Sequence, residues 1–443
     1  MKKYIFENGV MKLNPAYKEA GPSTIANPQQ ALAVVSSTND IADASQTQMN
    51  ATGKPMQLSD ATQASMEIMQ DQEYLDKFKV QGNLDGGELL DGLSNIFAKY
   101  EVPIGLVNKL LALSEYELNF IVDDSSSMGC GSDAPRDGAS VQMKQKLGAN
   151  NSFFGNSLTR WEEAEDRLHV MIDMLAYIPI DKLTISFLNR NDKLVLNHAG
   201  KTPQQYADEA HRAISQAFSR AASGGTPAYR KLSEAFQHSR VSTMHYLLTD
   251  GVPSDASTDQ MKQLVTNRKN PEMNPLTFIS CTNEDSEANW MKEIEEEAKY
   301  CSELDDFKSE QKEVLHDQGP AFPFSKGFWL LCQLVASINP YDLDKMDESM
   351  PFTRQTMNNL LGRKLTDQEY QHYFRSNPNA KRYSHLEREF AREDIMAHQI
   401  AGVNQVPASS GSSFLNKFGF GNNNQQPSEY KADVPPPAYT PYN

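Results

Sequence analysis

Residues 118–127 read Leu118-Asn119-Phe120-Ile121-Val122-Asp123-Asp124-Ser125-Ser126-Ser127, and this stretch decides the fold class. Its first half is a short apolar run, rich in β-branched residues, of the kind that forms a buried strand in a parallel sheet. Its second half is polar, with Asp123 at the carboxyl end of the predicted strand. Open α/β sheets bind their ligands at that end of the strands. The stretch therefore predicts a central strand that leads directly into a binding site.

The sequence around this stretch alternates between helical and strand patterns. Strands are predicted at 183–188, 244–249 and 277–281, with 193–196 as an antiparallel hairpin partner, and helices at 160–178, 204–222, 227–238, 284–299, 360–374 and 382–398. The strand at 277–281 is predicted to be the last of the set. This alternation is typical of an α/β fold with a doubly wound, mostly parallel sheet and one antiparallel edge strand.

The 443 residues are enough for a large core, and their composition divides the chain into five segments. Both ends are rich in small and polar residues, which bury too little surface to offset the entropy lost on ordering. We expect a disordered arm at 1–62, a helical lead-in at 63–114, an α/β domain at 115–340, a helical extension at 341–402 and a disordered tail at 403–443.

Composition excludes several classes of function. A formal net charge of −16 argues against a nucleic-acid-binding or anionic-membrane surface, because phosphate binding needs a basic surface. The longest apolar run, at 327–338, is far shorter than the roughly 20 residues of a membrane span. Lys2 and Lys3 precede no apolar stretch, so a secretory signal is not indicated. We expect a cytoplasmic protein, which is also compatible with a microbial protein delivered into a host cell.

The cysteines and histidines give little sign of a metal or disulfide site. The four cysteines are widely spaced and form no CxxC pair, so neither a disulfide framework nor a structural zinc is indicated. Cys130 is interpreted as a passive thiol. His245 lies within a predicted strand and is interpreted as a core residue with satisfied hydrogen bonds.

Three polar segments follow predicted strands or occupy a Gly-rich loop. They are 123–128, which begins Asp-Asp-Ser-Ser-Ser; 224–227, Gly-Gly-Thr-Pro; and 248–253, Leu-Thr-Asp-Gly-Val-Pro. Because each feeds the carboxyl edge of the predicted sheet, they can converge in space.

Together these segments closely resemble the metal-ion-dependent adhesion site of von Willebrand factor type A (vWA) domains, in which D-x-S-x-S is followed by a Thr and then by an Asp. The resemblance spans about residues 116–338 and implies a Rossmann-like domain of the intracellular vWA kind. It also implies that the serines bind the metal directly and that the aspartates often act through water. The implied metal-site residues are Asp123, Ser125, Ser127, Thr226 and Asp250. Ser126 departs from the family, which frequently has Gly there.

The implied ligands suit a hard divalent cation. Mg²⁺ takes about six oxygen ligands, and three hydroxyls with two carboxylates supply only part of that shell. Two carboxylates merely balance the charge of Mg²⁺ or Mn²⁺, so the metal stays electrophilic. An acidic side chain from a protein partner is then a natural further ligand.

Each segment also has a simpler interpretation. Thr226 and Pro227 are favoured at the N-cap and first position of a helix. Asp250 and Gly251 suit a turn at the end of a strand, and 125–127 suits a polar loop. The joint occurrence in this order favours the metal site. The long polar segment Gly129–Thr159 either shapes the partner surface or is a tolerated insertion.

Two short motifs lie near the ends of the chain. Pro436-Pro437-Ala438-Tyr439 fits PPxY and resembles the ligands of WW domains, especially those of HECT-type ubiquitin ligases. The implied partner-binding residues are Pro436, Pro437 and Tyr439, and the alternative is a Pro-rich solubilising end. Residues 14–17 fit NPxY, although chance is the favoured explanation there.

The hypothesis that accounts for most of these features is a metal-dependent protein-binding or scaffold protein that is not an enzyme. The alternative is a metal-dependent phosphohydrolase whose nucleophile is Asp123. Such enzymes need a second acid two residues later, where this chain has Ser125, and Asp124 would point to the opposite face of a strand. A third hypothesis, compatible with the first, is an adaptor that couples a ubiquitin ligase to cargo through the tail.

Overall fold

The computed structural model describes residues 4–7, 10–13, 86–148, 155–239, 241–282, 284–338, 346, 350–361 and 364–392. The described strands are β1 (Tyr4–Glu7), β2 (Val10–Leu13), β3 (Glu117–Val122), β4 (Gly131–Pro135), β5 (Ser157–Thr159), β6 (Leu183–Phe187), β7 (Lys193–Leu196), β8 (Thr243–Thr249), β9 (Leu276–Ser280) and β10 (Cys301–Leu304). The described α-helices are α1 (Gly86–Lys99), α2 (Val107–Leu111), α3 (Val141–Leu147), α4 (Arg160–Leu175), α5 (Pro203–Ala217), α6 (Ala228–His238), α7 (Thr258–Thr266), α8 (Asp285–Glu295), α9 (Phe307–Gln318), α10 (Lys326–Val335), α11 (Arg354–Leu361), α12 (Asp367–Ser376) and α13 (Glu387–Phe390).

A six-stranded mixed sheet forms the centre of the protein, in the order β10-β9-β8-β3-β6-β7. Strand β3 pairs in parallel with both β6 and β8, and β9 and β10 continue the parallel arrangement. Strand β7 is antiparallel to β6 at one edge. The predicted α/β class, the central position of β3 and the antiparallel edge strand are therefore confirmed.

Successive residues of β3 face two separate hydrophobic cores. Phe120 lies in the first core, where its ring stacks on Tyr246 with centroids 4.3 Å apart, and this core is completed by α1, α4, α5 and α10. Ile121 and Leu247 lie in the second core, which is completed by α6, α7 and α8. Helices thus cover both faces of the sheet, which explains why β3 and β8 are apolar along most of their length.

The order of the strands creates a crevice at the carboxyl ends of β3 and β8. The chain leaves β3 towards β6 on one side and leaves β8 towards β9 on the other. The loops that follow these two adjacent strands therefore diverge, and ligands of open α/β sheets bind at such a position. Asp123 and Asp250 are the first polar residues beyond Val122 and Thr249, at these two strand ends.

Two predictions about secondary structure were wrong. The sheet does not end with β9, because β10 adds a further parallel strand; its residues, Cys301 to Leu304, include no β-branched or aromatic side chain that would signal it. Strands β1 and β2 form a separate antiparallel hairpin. The sequence between them is Asn8-Gly9, a strong signal for a two-residue hairpin turn.

The second error concerns a C-terminal helix, and the polar segment before α4 also has structure of its own. The polar segment Gly129–Thr159 contains helix α3 and the antiparallel pair β4–β5. The helix predicted at 360–374 is two helices, α11 and α12, and Thr366 caps the second through a capping box with Glu369. Residues 393–398 of the last predicted helix lie outside the described residues.

The flanking helices pack on the first core rather than forming a separate unit. Leu93 of α1, Leu361 of α11 and Tyr370 of α12 are fully buried in it. Tyr373 donates a hydrogen bond to Gln318 Oε1 at 2.7 Å, which ties α12 to the end of α9. None of the helices in the described part of the chain is long and apolar enough to cross a membrane.

Candidate functional site

Asp123 is held between the ends of β3 and β8. Its backbone N–H donates to Leu248 O at 2.8 Å, its Oδ1 accepts from the N–H of Ser125 at 2.8 Å, and its Oδ2 accepts from Thr249 Oγ1 at 2.6 Å. Burial raises the pKa of Asp123 to about 6, although the hydrogen bonds from Thr249 and Ser125 oppose the shift. No ion pair to Asp123 occurs among the described residues. Its charge therefore lacks a protein counter-ion there.

Two serines connect the loop after β3 to the loop after β8. Ser125 Oγ lies 3.0 Å from Ser127 Oγ, and Ser127 Oγ donates to Asp250 Oδ1 at 2.8 Å. Because a short 3-10 helix, Ser126–Gly129, follows Ser125, the two side chains lie side by side. Asp250 is 1% exposed and Ser125 is 2% exposed. Four of the five predicted metal ligands thus lie within one small polar cluster.

Thr226, the fifth predicted ligand, lies beside this cluster. A Cβ placed on Gly251 would lie 3.9 Å from Thr226 Oγ1, so Thr226 adjoins the backbone that follows Asp250. Its N–H donates to Ser254 Oγ at 2.9 Å. The alternative role as a helix N-cap is wrong, because Pro227 is the residue that precedes α6. The side chain of Asp255 instead accepts from the N–H groups of Tyr229 and Arg230 in the first turn of this helix.

The Gly-rich loop before Thr226 is hydrogen-bonded to the loop after β3, which contains residues 125–127. Ser126 N–H donates to Gly224 O at 3.1 Å, and Gly224 N–H donates to Ser126 Oγ at 3.2 Å. Gly224 has a φ of +109°, and a Cβ there would lie 2.8 Å from the side chain of Asn189. Only glycine suits this conformation and this space. Ser126 therefore has a hydrogen-bonding partner in the Gly-rich loop.

Asp124 points away from the cluster and anchors a neighbouring loop. Its Oδ2 accepts from Arg190 Nε at 3.0 Å, and its Oδ1 accepts from the N–H of Asn189 at 2.8 Å. Arg190 also stacks on the ring of Phe187, 3.6 Å from its centroid. The carboxylate next to Asp123 is therefore engaged in an ion pair of its own.

Arg160 is the residue of the site that sequence reasoning missed. It is the first residue of α4, and its Nη1 donates to Asp250 Oδ2 at 2.9 Å. Nη1 also lies 3.2 Å from Glu287 Oε2 on α8, and Nη2 donates to Thr282 Oγ1 at 2.9 Å. Its sequence neighbourhood carries no signal of this role. The contact depends on α4 starting beside the carboxyl ends of the strands.

The donors of the cluster suit a hard divalent cation. They are two carboxylates and three hydroxyls, all oxygen ligands of the kind that Mg²⁺ and Mn²⁺ prefer. The uncompensated charge of Asp123 is a further favourable feature. Among the described residues, no group of three or more His, Cys, Asp or Glu side chains could hold a metal ion. The candidate site is of a different kind, because most of its donors are hydroxyls.

The remaining predicted residues are placed as follows. His245 is a buried core residue, as predicted, and three polar side chains surround its ring nitrogens. All four cysteines are free, and Cys130 is the exposed one. The PPxY residues Pro436, Pro437 and Tyr439, like the NPxY segment at 14–17, lie outside the described residues.

Comparison of the whole sequence with protein-family models and with curated proteins finds no match.

Proposed function

We propose that this chain carries a vWA-type domain whose adhesion site binds one Mg²⁺ or Mn²⁺ ion and, through it, an acidic residue of a protein partner. The observation that carries the proposal is the hydrogen-bonded run from Ser125 through Ser127 to Asp250 beside the buried Asp123. Ser127 and Asp250 are distant in sequence, and the ends of β3 and β8 bring them together with the other oxygen donors.

The residues of the cluster have separate roles in this proposal. Ser125, Ser127 and Thr226 are neutral donors, and Asp123 and Asp250 balance the charge of the ion. The metal, when bound, supplies an electrophilic centre with room for a partner's carboxylate. The surrounding loops hold the donors in place before the ion arrives, which reduces the ordering entropy of binding.

The test is a titration of the full chain with Mn²⁺, carried out on the wild type and on Asp250→Ala. We expect the wild type to bind one equivalent and the variant to lose binding by at least about 100-fold, because a charged ligand and the contact to Ser127 are both removed. Asp259→Asn is the matched control, since it removes one exposed carboxylate from the nearby helix α7. Equal Mn²⁺ affinity in all three proteins would refute the metal site.

The partner part of the proposal is tested by affinity purification in Mg²⁺ and in EDTA. A partner of the adhesion site should be captured in Mg²⁺, lost in EDTA and lost in Asp250→Ala. If every captured partner still binds equally well in excess EDTA, metal-dependent binding through this site is refuted.

For the tail, we propose that Pro436, Pro437 and Tyr439 bind a WW domain, with a HECT-type ubiquitin ligase as the partner class. Prolines preset the extended polyproline II conformation, so docking loses little entropy. Tyr439→Ala should abolish capture of WW domains and leave Mn²⁺ affinity unchanged. Capture that survives this substitution would remove the adaptor role.

The phosphohydrolase alternative is less well supported. Such an enzyme needs a second acid near its nucleophile. Asp124 does not supply it, because its carboxylate pairs with Arg190. Turnover of a phosphate ester with Mn²⁺ that disappears in Asp123→Asn would reverse this ranking.

A further inference from the structure

Arg160 places a fixed positive charge beside the carboxylate that the proposed metal would use. The ion pair between Arg160 Nη1 and Asp250 Oδ2 is 2.9 Å long, and the side chains are 10% and 0% exposed. At such burial the pair is poorly screened, so its charge acts strongly on any ion bound nearby. A divalent cation at Asp250 would therefore be repelled by Arg160.

Glu287 offsets this positive charge from the other side. Its Oε2 lies 3.2 Å from the same Arg160 Nη1, and it also accepts from Thr282 Oγ1 at 2.6 Å. When ionised, Asp123, Asp250 and Glu287 carry three negative charges against one positive charge of Arg160. The net charge around the site is then minus two, matching a divalent cation, and it depends on both members of the Arg160–Glu287 pair.

We infer that Arg160 and Glu287 are positioning residues that set the affinity of the site for its cation, Arg160 lowering it and Glu287 raising it. This inference rests on the proposed metal site. Glu287 is 37% exposed on α8, so a basic group of a partner can reach it without entering the buried cluster. Contact of a partner with Glu287 would then change the metal affinity of the site.

The test is a titration of the full chain with Mn²⁺ at pH 7.5, in which calorimetry measures the affinity. Arg160→Gln should bind Mn²⁺ at least about tenfold more tightly than the wild type, because a nearby positive charge is removed. Glu287→Gln should bind at least about threefold more weakly for the opposite reason. The double variant restores the original net charge, so its affinity should return to within about threefold of the wild type.

Two controls separate charge from structure. Arg160→Lys keeps the positive charge but loses the planar group, and we expect an affinity close to that of the wild type if charge is decisive. Glu293→Gln removes an exposed carboxylate from the same helix α8 and should leave the affinity unchanged. Thermal unfolding of each variant checks that the fold is retained.

The outcomes distinguish this inference from the proposed function. If Asp250→Ala abolishes Mn²⁺ binding but Arg160→Gln binds no more tightly than the wild type, the metal site stands and the role of Arg160 is refuted. If Glu287→Gln binds as well as the wild type, the offsetting role of Glu287 is refuted. If neither the wild type nor Arg160→Gln binds Mn²⁺ at millimolar concentration, both proposals fail.

Discussion

His245 should make the stability of the protein depend on pH. Its ring is 1% exposed on β8, and the side-chain amide of Asn119 lies 3.1 Å from Nδ1. Because an amide nitrogen only donates, Nδ1 must be the acceptor and cannot carry a proton in this arrangement. On the other side, Nε2 lies 3.4 Å from Asn274 Oδ1. Burial, with the nearby charge of Arg268, lowers the pKa of His245 to about 4, although the bond to Asn274 opposes the shift.

The sign of the effect follows from which state binds the proton first. In the unfolded chain a histidine is protonated as the pH falls through about 6.5, whereas folded His245 stays neutral until about pH 4. The stability that neutral His245 contributes is therefore complete above pH 6.5 and is lost as the pH falls towards 4. Where the unfolded chain binds one proton more than the folded protein, the free energy of unfolding falls by about 1.4 kcal/mol for each pH unit. About 2–3 kcal/mol of this free energy should therefore be lost between pH 7.5 and 4.5.

Urea unfolding at pH 7.5 and at pH 4.5 measures this loss. His245→Gln should be less stable than the wild type at pH 7.5, and its stability should fall by about 2–3 kcal/mol less between the two pH values. His372→Gln, which replaces an exposed histidine on α12, serves as the control and should keep the wild-type pH dependence. If the wild type and His245→Gln lose the same free energy of unfolding between the two pH values, His245 is not the source of the pH dependence.

Three further predictions concern packing and reactivity. Arg167→Met leaves the buried carboxylate of Glu163, now paired at 2.6 Å, without its counter-ion, so we expect a loss of about 3–5 kcal/mol in urea unfolding. Gly327→Ala should destabilise the protein by about 1–3 kcal/mol despite the higher helix propensity of alanine, because the new Cβ would lie 2.1 Å from Tyr100 O; a raised melting temperature would contradict this. In thiol titration of the native protein Cys130 should react first, since the other three cysteines are buried, and Cys130→Ser should remove the fast phase.

The candidate site was largely predictable from sequence because its residues lie where strands end. The apolar run of a buried strand such as β3 predicts that strand from the sequence. The polar residue after it must then lie at the edge of the sheet. The same reasoning places Asp250 after β8. Neither inference needs long-range information, since the carboxyl ends of parallel strands share one edge.

The interpretation of single motifs was less reliable. The Thr-Pro pair at 226–227 has the usual appearance of a helix start, and only the structure shows that Thr226 lies one residue too early to cap α6. Asn8-Gly9 is a hairpin-turn signal inside a largely polar segment, and β1 and β2 pair on either side of it. Local composition and local turn chemistry can therefore disagree within a few residues.

The sequence by itself determined the class of fold, the central strand and the edge at which the polar segments meet, because the period of apolar residues follows directly from the geometry of helices and strands. Only the tertiary structure decided the charge of that edge. Arg160 reaches Asp250, 90 residues away, and meets Glu287 on a third element, because α4, β8 and α8 come together there. An ion pair between such distant residues leaves no periodic pattern in the sequence, since each side chain alone is compatible with an ordinary exposed position.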